Sequence, residues 1–230
     1  MCGRYTYYDT SDLLQSYPEL PKKDPQVQLA LQMKDDYNVA PCSEMPVIIR
    51  GKQQNTIAFM TWGLLPAWSK EPHSNSKLIN ARKEGLFEKP MWKRLVASKR
   101  CVVPARGFYE WKKAGDTKEP YYITPPKGNY FSFAGLWDEW QGTDGATVKT
   151  YTIITTQPNV EMSAVHNRMP ALLTKASMKL WLQPTELDQA QVDDILQAPP
   201  DGSVVITRVS DKVNNPRNNS KDLLYLLDNL

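Results

Sequence analysis

The chain has 230 residues, 41% of them hydrophobic and 23% charged, with a net charge of +3, the make-up of an ordinary globular protein able to bury a sizeable core. No run approaches the ~18 apolar residues of a membrane span, and the polar start MCGRYTYYDT lacks the apolar core of a signal peptide. Three widely spaced cysteines without a CxxC pair argue for a reducing compartment, here the cytoplasm, and two histidines make a metal site unexpected.

The first chemical candidate is Met1-Cys2-Gly3-Arg4. Initiator Met is trimmed before small residues, which would leave Cys2 with an α-amine and a thiol on neighbouring carbons. Such a 1,2-aminothiol can condense with an aldehyde and close a five-membered thiazolidine. An α-amine titrates near pH ~8, so a useful fraction is neutral and nucleophilic in the cell. Position 2 also tolerates almost any residue, so Cys2 alone does not decide the matter.

Thr10 or Ser11 can cap a short helix through Asp12-Leu13-Leu14, ended by Pro18. Pro21 to Asp36 reads as a polar surface excursion with one apolar patch. Tyr37 to Pro41 is a turn-like entry to a strand, Pro46–Arg50, which forms a hairpin with Thr56–Trp62 across a Gly51–Asn55 turn. Trp62-Gly63-Leu64-Leu65-Pro66-Ala67-Trp68-Ser69 cannot be regular helix or central strand, and is either a packed loop or a surface with apolar wedges. A polar loop with a solvent-facing His73 follows, and Asn80 to Glu84 leads towards a helix. Arg82 has the planar fork that suits phosphate, although a surface ion pair is equally open to it.

Arg100 to Trp111 reads as strand, Pro/Gly break, strand. Alternation puts Phe108 and Glu110 on one face and Tyr109 and Trp111 on the other. If Phe108 points inward, Glu110 is a buried carboxylate with the raised pKa of a general acid/base; the opposite facing leaves it in water. Further strands are expected at Tyr121–Thr124, Tyr130–Ala134, Thr150–Thr156 and Ser203–Val209, with a turn at Gly142–Gly145. Helices are expected at Lys175–Leu182 and Glu186–Gln197, and an amphipathic stretch at Lys221–Leu227. No phosphate-binding Gly-rich motif is present, so no nucleotide cofactor is expected. The pattern favours a single α+β domain over 1–230 around an antiparallel sheet.

Charge is uneven. Residues 82–113 carry 10 basic and 3 acidic side chains, net +7, and include Trp92, Phe108, Tyr109 and Trp111. Basic and aromatic side chains interleaved suit single-stranded nucleic acid, and a solvated basic face over core aromatics fits as well.

Taken together, Met1 to Arg4, Asn38-Val39-Ala40-Pro41, Trp62-Gly63-Leu64, Asn80 to Glu84, Arg100 to Trp111, Ala134-Gly135-Leu136-Trp137 and His166-Asn167-Arg168-Met169-Pro170 resemble the SOS-response-associated peptidase (SRAP) family, in order and over most of the chain. The resemblance implies a curved β-barrel-like sheet with peripheral helices and a cleft for single-stranded DNA, whose abasic sites the family shields. It implies that Cys2 is the nucleophile, that Asn80, Glu110 and His166 are its catalytic partners, and that Arg4 and Arg82 contact phosphates. Pro41, Trp62 and Trp68 are candidates for stacking on bases, with core packing open to each Trp. Asn167 departs from the Asp usual after the histidine, which weakens support for the imidazolium.

On this reading the chain is a monomer, needs no cofactor or metal, and is nucleoid-associated when bound to DNA. It forms a thiazolidine cross-link with abasic DNA, with a weak lyase side reaction. Two other classes stay open: a cysteine-type (auto)peptidase, and a non-covalent binder of single-stranded or modified DNA.

Overall fold

The computed structural model describes residues 2–70 and 78–225; the His73 loop and the end of the Lys221–Leu227 stretch lie outside the described residues. In chain order the elements are β1 (Arg4–Tyr7), α1 (Leu13–Ser16), α2 (Pro25–Leu31), β2 (Asp36–Val39), β3 (Glu44–Arg50), β4 (Asn55–Trp62), β5 (Asn80–Arg82) and α3 (Pro90–Ser98). There follow β6 (Arg100–Ala105), β7 (Gly107–Ala114), β8 (Thr117–Thr124), β9 (Phe131–Gln141), β10 (Thr147–Thr156), α4 (Val160–Ser163), β11 (Met169–Pro170), α5 (Lys175–Trp181), α6 (Gln189–Ile195) and β12 (Val205–Arg208).

The α+β expectation holds, and the sheet closes. β3 pairs with β4 as the expected hairpin, Val47 opposite Ala58. β6 joins β3, β9 joins β6, and β10 joins β9, all antiparallel. β10 then returns beside β4 in parallel, Thr150 opposite Thr61, which completes a barrel. β5 also lies parallel to β10, Ile153 opposite Asn80, so the sheet is mixed where an antiparallel one was expected. Only a long connection can bring β4 and β10 together in parallel, and residues 63–146 supply it. A second sheet, in the order β12-β8-β7-β1-β2, packs over the barrel.

Inward side chains fill the interior. Tyr5 of β1 meets Trp62 edge-on at 5.2 Å between ring centroids and Phe133 at 6.3 Å, while Trp62 stacks on Tyr151 at 6.4 Å. Gly135 on β9 is required by close approach: a Cβ there would sit 2.9 Å from both Cys101 Sγ and Thr152 O. Arg100, almost fully buried, donates to the carbonyls of Val96 and Ala97 at the end of α3 and of Trp181 at the end of α5. It thereby satisfies helix C-termini that would otherwise be orphaned inside the protein.

Local expectations fared unevenly. The excursion from Pro21 to Asp36 contains α2, capped by Asp24, whose side chain accepts from Gln26 N, with Pro25 at the first helical position. Val27 and Ala30 are its buried residues, whereas Leu29 is half exposed. Asn80 leads into β5 rather than directly into a helix. Neither Thr10 nor Ser11 caps α1: Thr10 Oγ1 donates to Leu31 O and Ser11 Oγ to Asp9 Oδ1. None of the helices among the described residues is long and apolar enough to cross a membrane.

Candidate active site at the N-terminal cysteine

β1 pairs with β7 with Arg4 opposite Tyr109 and Tyr5 opposite Phe108, and continuing that register sets Gly3 opposite Glu110. Cys2 is the next residue out. It is fully buried, its thiol donates to Arg4 O at 3.8 Å, and its carbonyl accepts from Asn80 Nδ2 at 2.8 Å. Burial, and then the neighbouring charge of Glu110, push the Cys2 thiol far above the ordinary thiol range. Asn80 is delivered by β5, and its Oδ1 is buried with no hydrogen-bond partner among the described residues.

Glu110 is 2% exposed on β7. Phe108 points inward and Glu110 with it, the first of the two facings open to the strand, and the strand's other face is covered as well. Phe108 belongs to the main core, and Tyr109 to a smaller cluster with Tyr122, Val209, Val213 and Leu223, so the C-terminal segment covers the second face. Glu110 shares its face with Phe108, the alternation expected of a strand.

His166 follows α4, whose N-terminus Asn159 caps. Its Nδ1 lies 3.1 Å from the Arg168 N–H donor and 3.2 Å from Arg168 O. The neutral ring with its proton on Nε2 accepts the first bond, and a ring with a proton on Nδ1, neutral or cationic, donates the second. The ring walls two open clefts. One, of about 520 Å³, is lined by Glu110, Trp111, Lys118, His166 and Asn214. The other, of about 910 Å³, holds Asn80, Arg82, Glu84, His166, Asn167 and Arg168 along its sides. Four residues distant in sequence, Cys2, Asn80, Glu110 and His166, thus converge.

The residues expected to bind DNA divide. Arg82 is exposed and lines the larger cleft. The Arg4 fork is occupied within the protein: Nη1 donates to Asn38 Oδ1 at 2.8 Å and Val213 O at 3.0 Å, and Nη2 to Asn214 O at 3.3 Å. Pro41 is half-buried, next to Cys42, which has a φ of +73°. Trp68 is 72% exposed on a braced loop, where Leu65 N–H donates to Thr150 Oγ1, Ala67 N–H to Asp138 Oδ2 and Trp140 Nε1 to Ser69 O.

Trp62 is a correction. It is fully buried at an inward position of β4, with Nε1 donating to Ile79 O at 3.0 Å, and so it cannot stack on a base. Of the two readings of the basic block, that of core aromatics holds for three of its four rings. Trp92, Phe108 and Tyr109 are core, and Arg106 is an internal brace over Tyr130, bonded to Asp9 and Asp12.

Three groups at the site escaped sequence reasoning. Lys118 and Asn214 line the Glu110 cleft from a hairpin and from the C-terminal segment, and no local motif announces them. Asn38 is a buried hub that donates to Asn218 O and Asn215 O while accepting from Arg4. Arg168 pairs with Glu84 through both carboxylate oxygens, at 2.7 and 3.0 Å. Both belong to the motifs noted above, but their pairing needs the fold.

Comparison with known proteins agrees with this architecture. The family described as "SOS response associated peptidase (SRAP)" matches residues 1–216. The chain is 38% identical to abasic site processing protein YoqW of Bacillus subtilis, over 97% of this chain and 99% of that one. It is 32% identical to abasic site processing protein HMCES of Xenopus tropicalis, over 82% of this chain and 65% of that one. A crystal structure of a Bacteroides thetaiotaomicron protein shares the fold with a TM-score of 0.85, at 24% identity, covering 98% of this chain and 99% of that one. The chain therefore belongs to the SRAP family.

Proposed function

We propose that the chain processes abasic sites in single-stranded DNA by covalent capture through Cys2, once Met1 has been removed. The observation that carries the proposal is the fixing of the Cys2 carbonyl by Asn80 beside the buried Glu110. The printed names of the relatives above support the lesion class.

An abasic deoxyribose is an aldehyde in its open form. The His166 imidazolium gives its Nε2 proton to the ring oxygen while Glu110 takes the proton of the 1-hydroxyl, and the ring opens. The Cys2 amine adds to the aldehyde carbon, and Glu110 relays the protons that release water and leave an iminium. The thiol then forms a C–S bond to that carbon, its proton passes to Glu110, and the iminium electron pair returns to nitrogen. The products are a thiazolidine and one water. The order follows from the thiol: burial raises its pKa and makes the thiolate scarcer, so the amine attacks first. Ring closure removes the iminium that would otherwise invite β-elimination and strand cleavage. Arg82 supplies charge to the flanking phosphate, and exposed Trp68 offers a stacking face. The catalytic groups all come from one chain, so a monomer suffices.

The test is a denaturing gel of abasic single-stranded DNA with wild-type protein and with Cys2→Ala, Met1 removal being checked by mass. A slow band with wild type alone is expected. No band from fully trimmed wild type would sink covalent capture in favour of the peptidase or passive-binding readings.

A further inference from the structure

The Glu84–Arg168 pair lines the larger cleft together with His166 and Asn80. Arg168 is buried, and its guanidinium donates to both Glu84 oxygens and to Thr155 O on β10. Its Nε is buried without a partner among the described residues, so the placement of this side chain depends on its two terminal nitrogens. Glu84 follows directly on the Asn80–Arg82 strand, in a 3-10 turn spanning Lys83–Gly85. The side chain of Arg168 therefore ties the His166 bend to the element that carries Asn80. The peptide of Arg168, in turn, bonds His166 Nδ1 in either charge state of the ring.

We infer that Glu84, acting through Arg168, is a positioning residue for His166: it locks the bend from which the Arg168 peptide holds the ring with Nε2 towards the clefts. The inference rests on the reading of His166 as the acid of the site. Supporting it, burial of Glu84 works to raise its pKa, yet the hydrogen bonds and charge of Arg168 bring it below the ordinary carboxylate value. Removing the carboxylate leaves a buried guanidinium without its anion, which the bend must move to relieve.

The chain has two histidines, so ring-nitrogen NMR of the full ¹⁵N-labelled protein resolves His166, with His166→Ala giving the assignment. In the wild type, at a pH where the ring is neutral, Nδ1 is expected to report an unprotonated, hydrogen-bonded nitrogen. In Glu84→Ala and in Arg168→Lys, which keeps the charge but loses the fork, the two ring nitrogens are expected to move towards an average. Cross-linking at saturating abasic single-stranded DNA should slow roughly tenfold to a hundredfold in both variants, the scale of misplacing a catalytic group by about an ångström.

Glu84→Ala combined with His166→Ala should be no slower than His166→Ala alone, because the two act as a unit. Glu84→Gln keeps the shape and one acceptor, should recover part of the rate, and carries the test if Glu84→Ala does not fold. Unchanged ring signals in the Glu84 variants, or a further loss in the His166→Ala background, would overturn the inference. A wild type that never cross-links would instead overturn the capture reading, and the ring signals would still decide whether Glu84 positions His166.

Discussion

At the scale of single residues, the pKa of the Cys2 thiol is raised by two separable effects. Burial is the larger and Glu110 the smaller. Glu110→Gln removes the second, so the thiol pKa should fall towards its ordinary value without reaching it, as read from alkylation rate against pH. Cross-linking should slow in the same variant, because the relay of protons is lost; the scale for one acid–base group is about 10²–10⁴-fold. A variant whose thiol pKa stayed put would show that Glu110 does not act on Cys2.

Glu84 gives a second pH signature. Its carboxyl has a lowered folded-state pKa, so the stability it contributes is present above the unfolded carboxylate value, near ~4.3, and is lost as pH falls through the folded value. The melting temperatures of wild type and Glu84→Gln should therefore differ at neutral pH and converge in acid.

Among elements, α2 and the Trp68 loop show what is borne by few contacts. Asp24 caps α2 and also accepts from Thr56 Oγ1 on β4 at 2.7 Å, so it joins the helix to the barrel. Asp24→Ala should lower stability by about 1 kcal/mol, measured by denaturant titration. That helix was legible in the dipeptide Asp24-Pro25, a cap followed by a first-turn proline, but the polar sequence around it drew the reading to a surface loop. The β3–β4 hairpin was legible because two apolar runs flank a turn. β1 and β5 were not: they have four and three residues, and their pairing partners lie far along the chain. The facing of Glu110 was illegible for a related reason, since the C-terminal segment that covers Tyr109 reverses no local pattern. Of the site, the types of Cys2, Asn80, Glu110 and His166 could be named from motifs, whereas the Arg168 pairing and the engaged Arg4 fork follow only from the fold.

For the whole molecule, the stretch from Ser210 to Asn219 works as a strap across the second sheet. It accepts from Arg4 and Asn38 through the carbonyls of Val213, Asn214, Asn215 and Asn218, and Asn214 Oδ1 accepts from Trp111 Nε1 at 2.7 Å. Truncation before Ser210 should expose the Tyr109 cluster, free Arg4 two residues from Cys2, and slow cross-linking while lowering the melting temperature. A truncated protein that captured DNA at the wild-type rate would show that the strap serves stability alone.

The pairing of β1 with β7 also imposes an order in time. Arg4 to Thr6 find Tyr109 to Gly107 only after a hundred further residues have been joined, roughly 5–20 s at ribosomal speeds. For that interval the beginning of the chain has no strand to lie against. An aminopeptidase can reach Met1 then, and the thiol is enclosed afterwards. The closed fold thus separates a window of maturation from the finished state, in which the Cys2 side chain sits among core residues.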